Sequence, residues 1–139
     1  MKILLTIDNK AQQQTEYGEI PVHLSNLESI QQCSCISIDS SICIDYVNYE
    51  MRPTLIKILK NKMRVGCILT VSGTDIYSML RMFKKDIVDI SEFNNHILNG
   101  RVSIGSIQEI KELLVSEGLS IVEMMMVNGF YTIKARRDK

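Results

Sequence analysis

At 139 residues, with 45% hydrophobic and 23% charged side chains and only two prolines, the chain has the size and composition of one globular domain, which excludes a disordered tail. Sixteen basic residues balance sixteen acidic ones, so no net charge draws the molecule toward nucleic acid, and such a partner would need a local patch. No run approaches the roughly 18 apolar residues of a membrane helix, and "MKILLTIDNK" turns polar too soon for a signal peptide, which predicts a cytoplasmic protein with no membrane partner.

The first β-rich run is "KILLTI", Lys2 to Ile7. Asp8 to Gly18 is polar, with Gln12, Gln13 and Gln14 in a row, and reads as a loop or a wide hairpin turn because it lacks apolar residues at helical spacing. "EIPVHLSNL" resumes an extended pattern, with Pro21 tolerable only at an edge or a strand start. "CSCISIDSS" alternates: Cys33, Cys35 and Ser37 are expected on one face, with Ser34, Ile36 and Ile38 on the other.

"EMRPTLIKILKNKM" carries Leu55, Ile56, Ile58, Leu59 and Met63 at helical spacing, and Pro53 in its first turn does no harm there. "GCILTVSG", Gly66 to Gly73, is β-branched and apolar on both faces, as a central strand covered on both sides should be. Two short helices follow around Lys84 to Val88. A further helix opens on a candidate cap at Ser106 and stops at Gly118. "SIVEMMMV", Asn128-Gly129 and "FYTIKAR" make a strand, a type I′ turn and a returning strand.

Chemistry-bearing residues are few. Cys33, Cys35, Cys43 and Cys67 match no zinc spacing with a second Cys/His pair, so they are expected to be buried free thiols and no metal is predicted. His23 and His96 have no ligand or catalytic partner at a useful spacing, and no serine lies in a nucleophile-elbow pattern. Two loops remain, Asp39-Ser40-Ser41 and Ser72-Gly73-Thr74-Asp75. Each follows a strand where open α/β sheets place ligands, but reads first as a strand-to-helix connection with a capping residue. At Met124 the "MMMV" run places Met124 and Met126 on one strand face and Met125 on the other, so at least one is expected in the core. The tail "KARRDK" is a small basic cluster, and nucleic acid is not predicted as a partner.

Taken in order, these pieces resemble the second half of a class I methyltransferase that uses S-adenosylmethionine. "CSCISIDSSICIDYVNYE" looks like that family's fourth strand and the turn after it. "RVGCILTVSGTD" is similar to the run into its fifth strand, and "LVSEGLSIVEMMMVNGFYTIKARR" to its last helix and reversed final strands. The resemblance implies an α/β, truncated Rossmann-like fold: one domain of 139 residues, a mixed sheet of five to six strands, helices mainly on one face and a C-terminal antiparallel hairpin. Residues 31–139 carry it, and 1–30 are read as a rebuilt or truncated part.

In the family a glycine-rich loop follows the first strand, and an acidic residue ending the second takes the ribose hydroxyls. Here "KILLTIDNKAQQQ" has no glycine before Gly18, and Asp8 is the nearest acidic candidate. Cys67 stands where the family's paired glycine would be, and "CIDYVNY" lacks the histidine often found after its fourth strand. Two expectations follow. The first is a degenerate domain without cofactor, working as an interaction or assembly module, with a second copy or a protein partner on an uncovered apolar sheet face. The alternative is an enzyme using S-adenosylmethionine, its site completed between subunits and lined by Asp39, Ser40, Gly73, Thr74 and Asp75, with its catalytic residues unassigned.

Overall fold

The computed structural model describes residues 1–7, 18–40, 43–98 and 100–139, leaving aside the side chains of 96 and 98. Six strands form one sheet: β1 (Lys2–Thr6), β2 (Ile20–His23), β3 (Cys35–Asp39), β4 (Met63–Thr74), β5 (Leu119–Val127) and β6 (Phe130–Arg137). Their order is β2-β1-β3-β4-β6-β5. The first four run parallel, and β6 lies antiparallel to both β4 and β5. The helices are α1 (Arg52–Lys62), α2 (Ile76–Lys84), α3 (Ile90–Leu98) and α4 (Ile107–Ser116), with short 3-10 turns at Leu24–Ser29, Cys43–Tyr46 and Tyr49–Met51. None of the described helices is long and apolar enough to cross a membrane.

The register explains the core. Ile20, Ile3, Ile38, Leu69, Ala135 and Ile121 stand side by side across all six strands. Four of them, Ile3, Ile38, Leu69 and Ala135, are buried, under Ile56 and Leu59 of α1 and Ile110 and Leu114 of α4. Burying each such aliphatic side chain stabilises by roughly 1.5–3 kcal/mol. The adjacent row, Leu4, Asp39, Thr70, Lys134 and Glu123, points to the opposite face and is largely polar. The two helices that cover strands therefore sit on one face, as expected.

Local chemistry sets the boundaries. Pro53 lies in the first turn of α1, where its missing N–H is no loss. Ser106 caps α4 by accepting from Glu109 N at 3.2 Å. Asn128 and Gly129, with φ of 50° and 82°, make the tight β5–β6 turn. A Cβ on Gly129 would also press on Met79 of α2.

Several expectations are corrected. A hairpin after β1 is excluded because β1 and β2 pair in parallel; a parallel return needs a crossover rather than a turn. Ile36 and Ile38 do not share a face: between Cys35 and Ser37 the partner on β4 jumps from Met63 to Ile68, so Ile38 turns into the core while Ile36 stays exposed. The uncovered face thus lacks one of the apolar residues assigned to it. The extended run from Glu19 ends at His23, whose ring accepts from Ser25 N and opens a 3-10 turn.

All four cysteines are free, but Cys33 is exposed, on a turn with φ of 52°. Burial, then the charge of Asp39, pushes the Cys43 thiol up to about 12; burial, then Cys35, pushes Cys67 up to about 11. None of Met124, Met125 and Met126 enters the core; they are 37%, 48% and 38% exposed on the last strand of the sheet. In the basic tail, Arg137 turns inward and donates to the carbonyls of Lys60 and Met63.

Candidate functional site

The end of β4 meets a buried ionic cluster. Asp45, in the 3-10 turn after β3, is fully buried, and its Oδ2 accepts from Thr74 N at 2.9 Å, Thr74 Oγ1 at 2.8 Å and Arg101 Nε at 3.2 Å. Its backbone carbonyl accepts from Val102 N and Ser103 N, so the loop before α4 is tied to it twice more. Arg52, the buried first residue of α1, brings Nη2 to 3.7 Å from Asp45 Oδ1 and Nη1 to 3.3 Å from Glu109 Oε1. Arg52 also donates to Ser103 Oγ, which donates to the carbonyl of Val47 at 2.7 Å.

Two guanidinium groups therefore face two carboxylates, and the charges cancel inside the fold. The Arg52 guanidinium lies 5.6 Å from the Tyr49 ring centre and that of Arg101 5.5 Å from Phe130. Burial raises the pKa of Asp45 above its ordinary value, although the Thr74 hydrogen bonds, Arg101 and Arg52 all pull it down. Burial, reinforced by Asp45, likewise raises the Tyr131 hydroxyl. Asp45 Oδ1 and Tyr131 Oη have no hydrogen-bond partner among the described residues. Both press on Gly73, where a Cβ would sit 2.7 Å from Tyr131 Cζ and 2.9 Å from Asp45 Oδ1, so no side chain fits.

Of the residues expected to line a site, Ser40, Thr74 and Asp75 have their side chains already engaged. Asp75 is a double cap: Oδ2 accepts from Ser78 N of α2 at 2.8 Å and Oδ1 from Ile107 N of α4 at 2.9 Å. Thr74 serves Asp45, and Ser40 donates from both its amide and its hydroxyl to the carbonyl of Thr70. Asp39, half-buried at the end of β3, belongs to the polar row on the other face. The structure unites Gly73 and Thr74 with Asp45 and turns Asp75 toward the helices. Asp8 and Ser41 lie outside the described residues.

Sequence reasoning did not find Asp45, Arg52, Arg101, Glu109 or Tyr131. The available signal was an aspartate inside the otherwise apolar "CIDY" and an arginine directly before the helix-opening Pro53. Among the described residues, no cluster of His, Cys, Asp and Glu could hold a metal ion.

The ends of β1 and β2 are different. A cavity of about 410 Å3 is lined by Ile7, His23, Leu24, Ser25 and Tyr46. His23 Nδ1 accepts from Ser25 N at 3.2 Å, so Nε2 carries the proton and donates to the carbonyl of Ile7 at 3.0 Å. Both ring nitrogens are occupied by the chain itself.

Searches by sequence give nothing: no protein-family model matches the chain, and neither does any curated protein. Solved structures do. A SAM-dependent methyltransferase from Archaeoglobus fulgidus superposes with a TM-score of 0.63 at 12% identity, over 96% of this chain and 75% of its own. A SAM-dependent methyltransferase from Thermotoga maritima, described as a possible histamine N-methyltransferase, gives 0.65 at 13% over 96% and 72%. The chain has the class I methyltransferase-like fold. The magnesium protoporphyrin IX methyltransferase of Synechocystis, solved with bound SAH, gives 0.59 at 18% over 92% of this chain and 56% of that one.

The likeness reaches beyond residues 31–139, since β1 and β2 are parallel members of the same sheet. In the family, the residue ending the second strand is the acidic one that holds the ribose of S-adenosylmethionine. Here that residue is His23, with both nitrogens engaged, and Ser25, Leu24 and Tyr46 supply no carboxylate beside it. Among the described residues, the donor set at the end of β2 holds no carboxylate for the ribose and does not fit the cofactor in the family's manner.

Proposed function

We propose that this chain is a methyltransferase-like domain that works without S-adenosylmethionine, as a protein-interaction or assembly module in the cytoplasm. The observation that carries the reading is His23, whose ring is tied to Ile7 and Ser25 where the fold would need a carboxylate. The cluster at the end of β4 supports it, because Thr74, Asp75 and Ser40 spend their polar atoms on holding helices and loops. Function belongs to the site rather than the fold.

A second reading is favoured by one feature, the cavity of about 410 Å3 at the ends of β1 and β2: an enzyme using S-adenosylmethionine whose site is completed by oligomerisation. Isothermal titration of folded protein with S-adenosylmethionine, and separately with S-adenosylhomocysteine, decides between them. The cofactor-free reading expects no heat at high ligand concentration. Micromolar binding overturns it and favours the second.

A further inference from the structure

The two edges of the sheet are treated differently. β2, at one edge, is four residues long, contains Pro21 and bends at Leu24 into a 3-10 turn. Pro21 cannot donate to a neighbouring strand, so this edge cannot propagate a sheet. β5, at the other, is nine residues long and, among the described residues, pairs only with β6. It has no proline or lysine, and its one irregularity lies early, between Ile121 and Glu123. From Glu123 to Val127 the pairing with β6 is regular. Val122, Met124, Met125, Met126 and Val127 are between 37% and 61% exposed.

We infer that β5 is the interface with a second copy of this chain, the two edge strands pairing antiparallel about a two-fold axis at Met125. The inference rests on the reading of the chain as an assembly module and gives that module its surface. Three observations select a second copy as the occupant. The first is charge: the only ionised side chain of β5, Glu123, is neutralised by Lys134 at 2.6 Å. An edge without free charge offers nothing to an acidic or basic peptide. About an axis at Met125, Met124 meets Met126 of the other copy, Glu123 meets Val127, and no like charges oppose each other.

The second is area. The exposed apolar side chains of β5 flank its edge on both faces, Met124 and Met126 on one and Met125 and Val127 on the other. Covered by the same side chains of a second copy across a two-fold axis and joined by the strand backbones, they reach on the order of 1,000 Å2, the threshold of a specific interface. The third is closure. Because Pro21 blocks the far edge, pairing at β5 ends after two copies, giving a twelve-stranded sheet rather than a fibre.

Light scattering of the full chain after size exclusion, at micromolar concentration, should give twice 15.9 kDa. Met125→Lys should halve that mass while the chain stays folded by circular dichroism, since Met125 is half exposed and off the core. In a Cys33→Ser background, Met125→Cys should cross-link to a dimer on mild oxidation, because residues facing each other across an antiparallel pair lie roughly 4.5–5.5 Å apart at Cα, within disulfide reach. A monomeric parent chain overturns the inference. So does a dimer that survives Met125→Lys and gives no cross-link, while leaving assembly through another surface intact. Binding of S-adenosylmethionine overturns the cofactor-free reading and leaves these masses unchanged.

Discussion

At the carboxyl end of β4, Asp45 and Asp75 between them accept from Thr74, Arg101, Ser78 and Ile107 and so gather β4, α2, α4 and two loops. At the carboxyl end of β2, among the described residues, His23 joins only Ile7 to the turn that follows it, and a cavity is left beside the ring. Both ends carry a titratable side chain among hydrogen-bond partners. The difference lies in how many chain segments converge. Where many backbone groups arrive unpaired, a carboxylate is consumed in satisfying them; where few arrive, space remains.

The largest test of that contrast is Asp45→Ala. Removing the carboxylate leaves Arg52 and Arg101 buried without their shared partner and should cost roughly 3–5 kcal/mol, read as an early urea midpoint or an unfolded sample. Gly73→Ala should cost about 2–3 kcal/mol by overpacking, because the new methyl meets Tyr131 and Asp45 in a backbone conformation that any residue adopts. Asp75→Ala strips caps from two helices, with an expected loss of about 1–2 kcal/mol in chemical denaturation.

Alkaline pH should have a smaller effect, to which the buried thiols Cys43 and Cys67 both contribute. Cys67 titrates near 11 when folded against an ordinary 9.0, so its contribution is whole below pH 9 and disappears as the pH rises through about 11. Urea midpoints at pH 8 and pH 10.5 should differ, and by less in Cys67→Ala. Smallest is His23→Ala: its bonds are part-exposed, so stability should fall by only about 1 kcal/mol. A loss as large as that of Asp45→Ala would erase the contrast between the two ends.

Much of the fold could be read from local chemistry. Asn128-Gly129, Ser106 and Pro53 each name their turn, cap or helix start within a few residues. The parallel pairing of β1 with β2 could not, since a polar stretch states nothing about the direction in which the chain returns. Ile38 was misplaced because a bulge reverses alternation and leaves no mark in composition. The candidate site was half legible. Gly73, Thr74 and Asp75 announce themselves after a strand, but Asp45 and Arg101 lie 56 residues apart and Arg52 and Glu109 lie 57 apart, beyond any periodic pattern.

The turn at Asn128-Gly129 has a consequence in time. Its hairpin closes over two residues and needs no distant partner, so it can form within microseconds, while the pairing of β4 with β6 waits on the closure of a loop of more than fifty residues. Met79 rests against Gly129, so α2 docks on a turn that already exists. During refolding the β5–β6 hairpin is expected to take shape before β4 joins it.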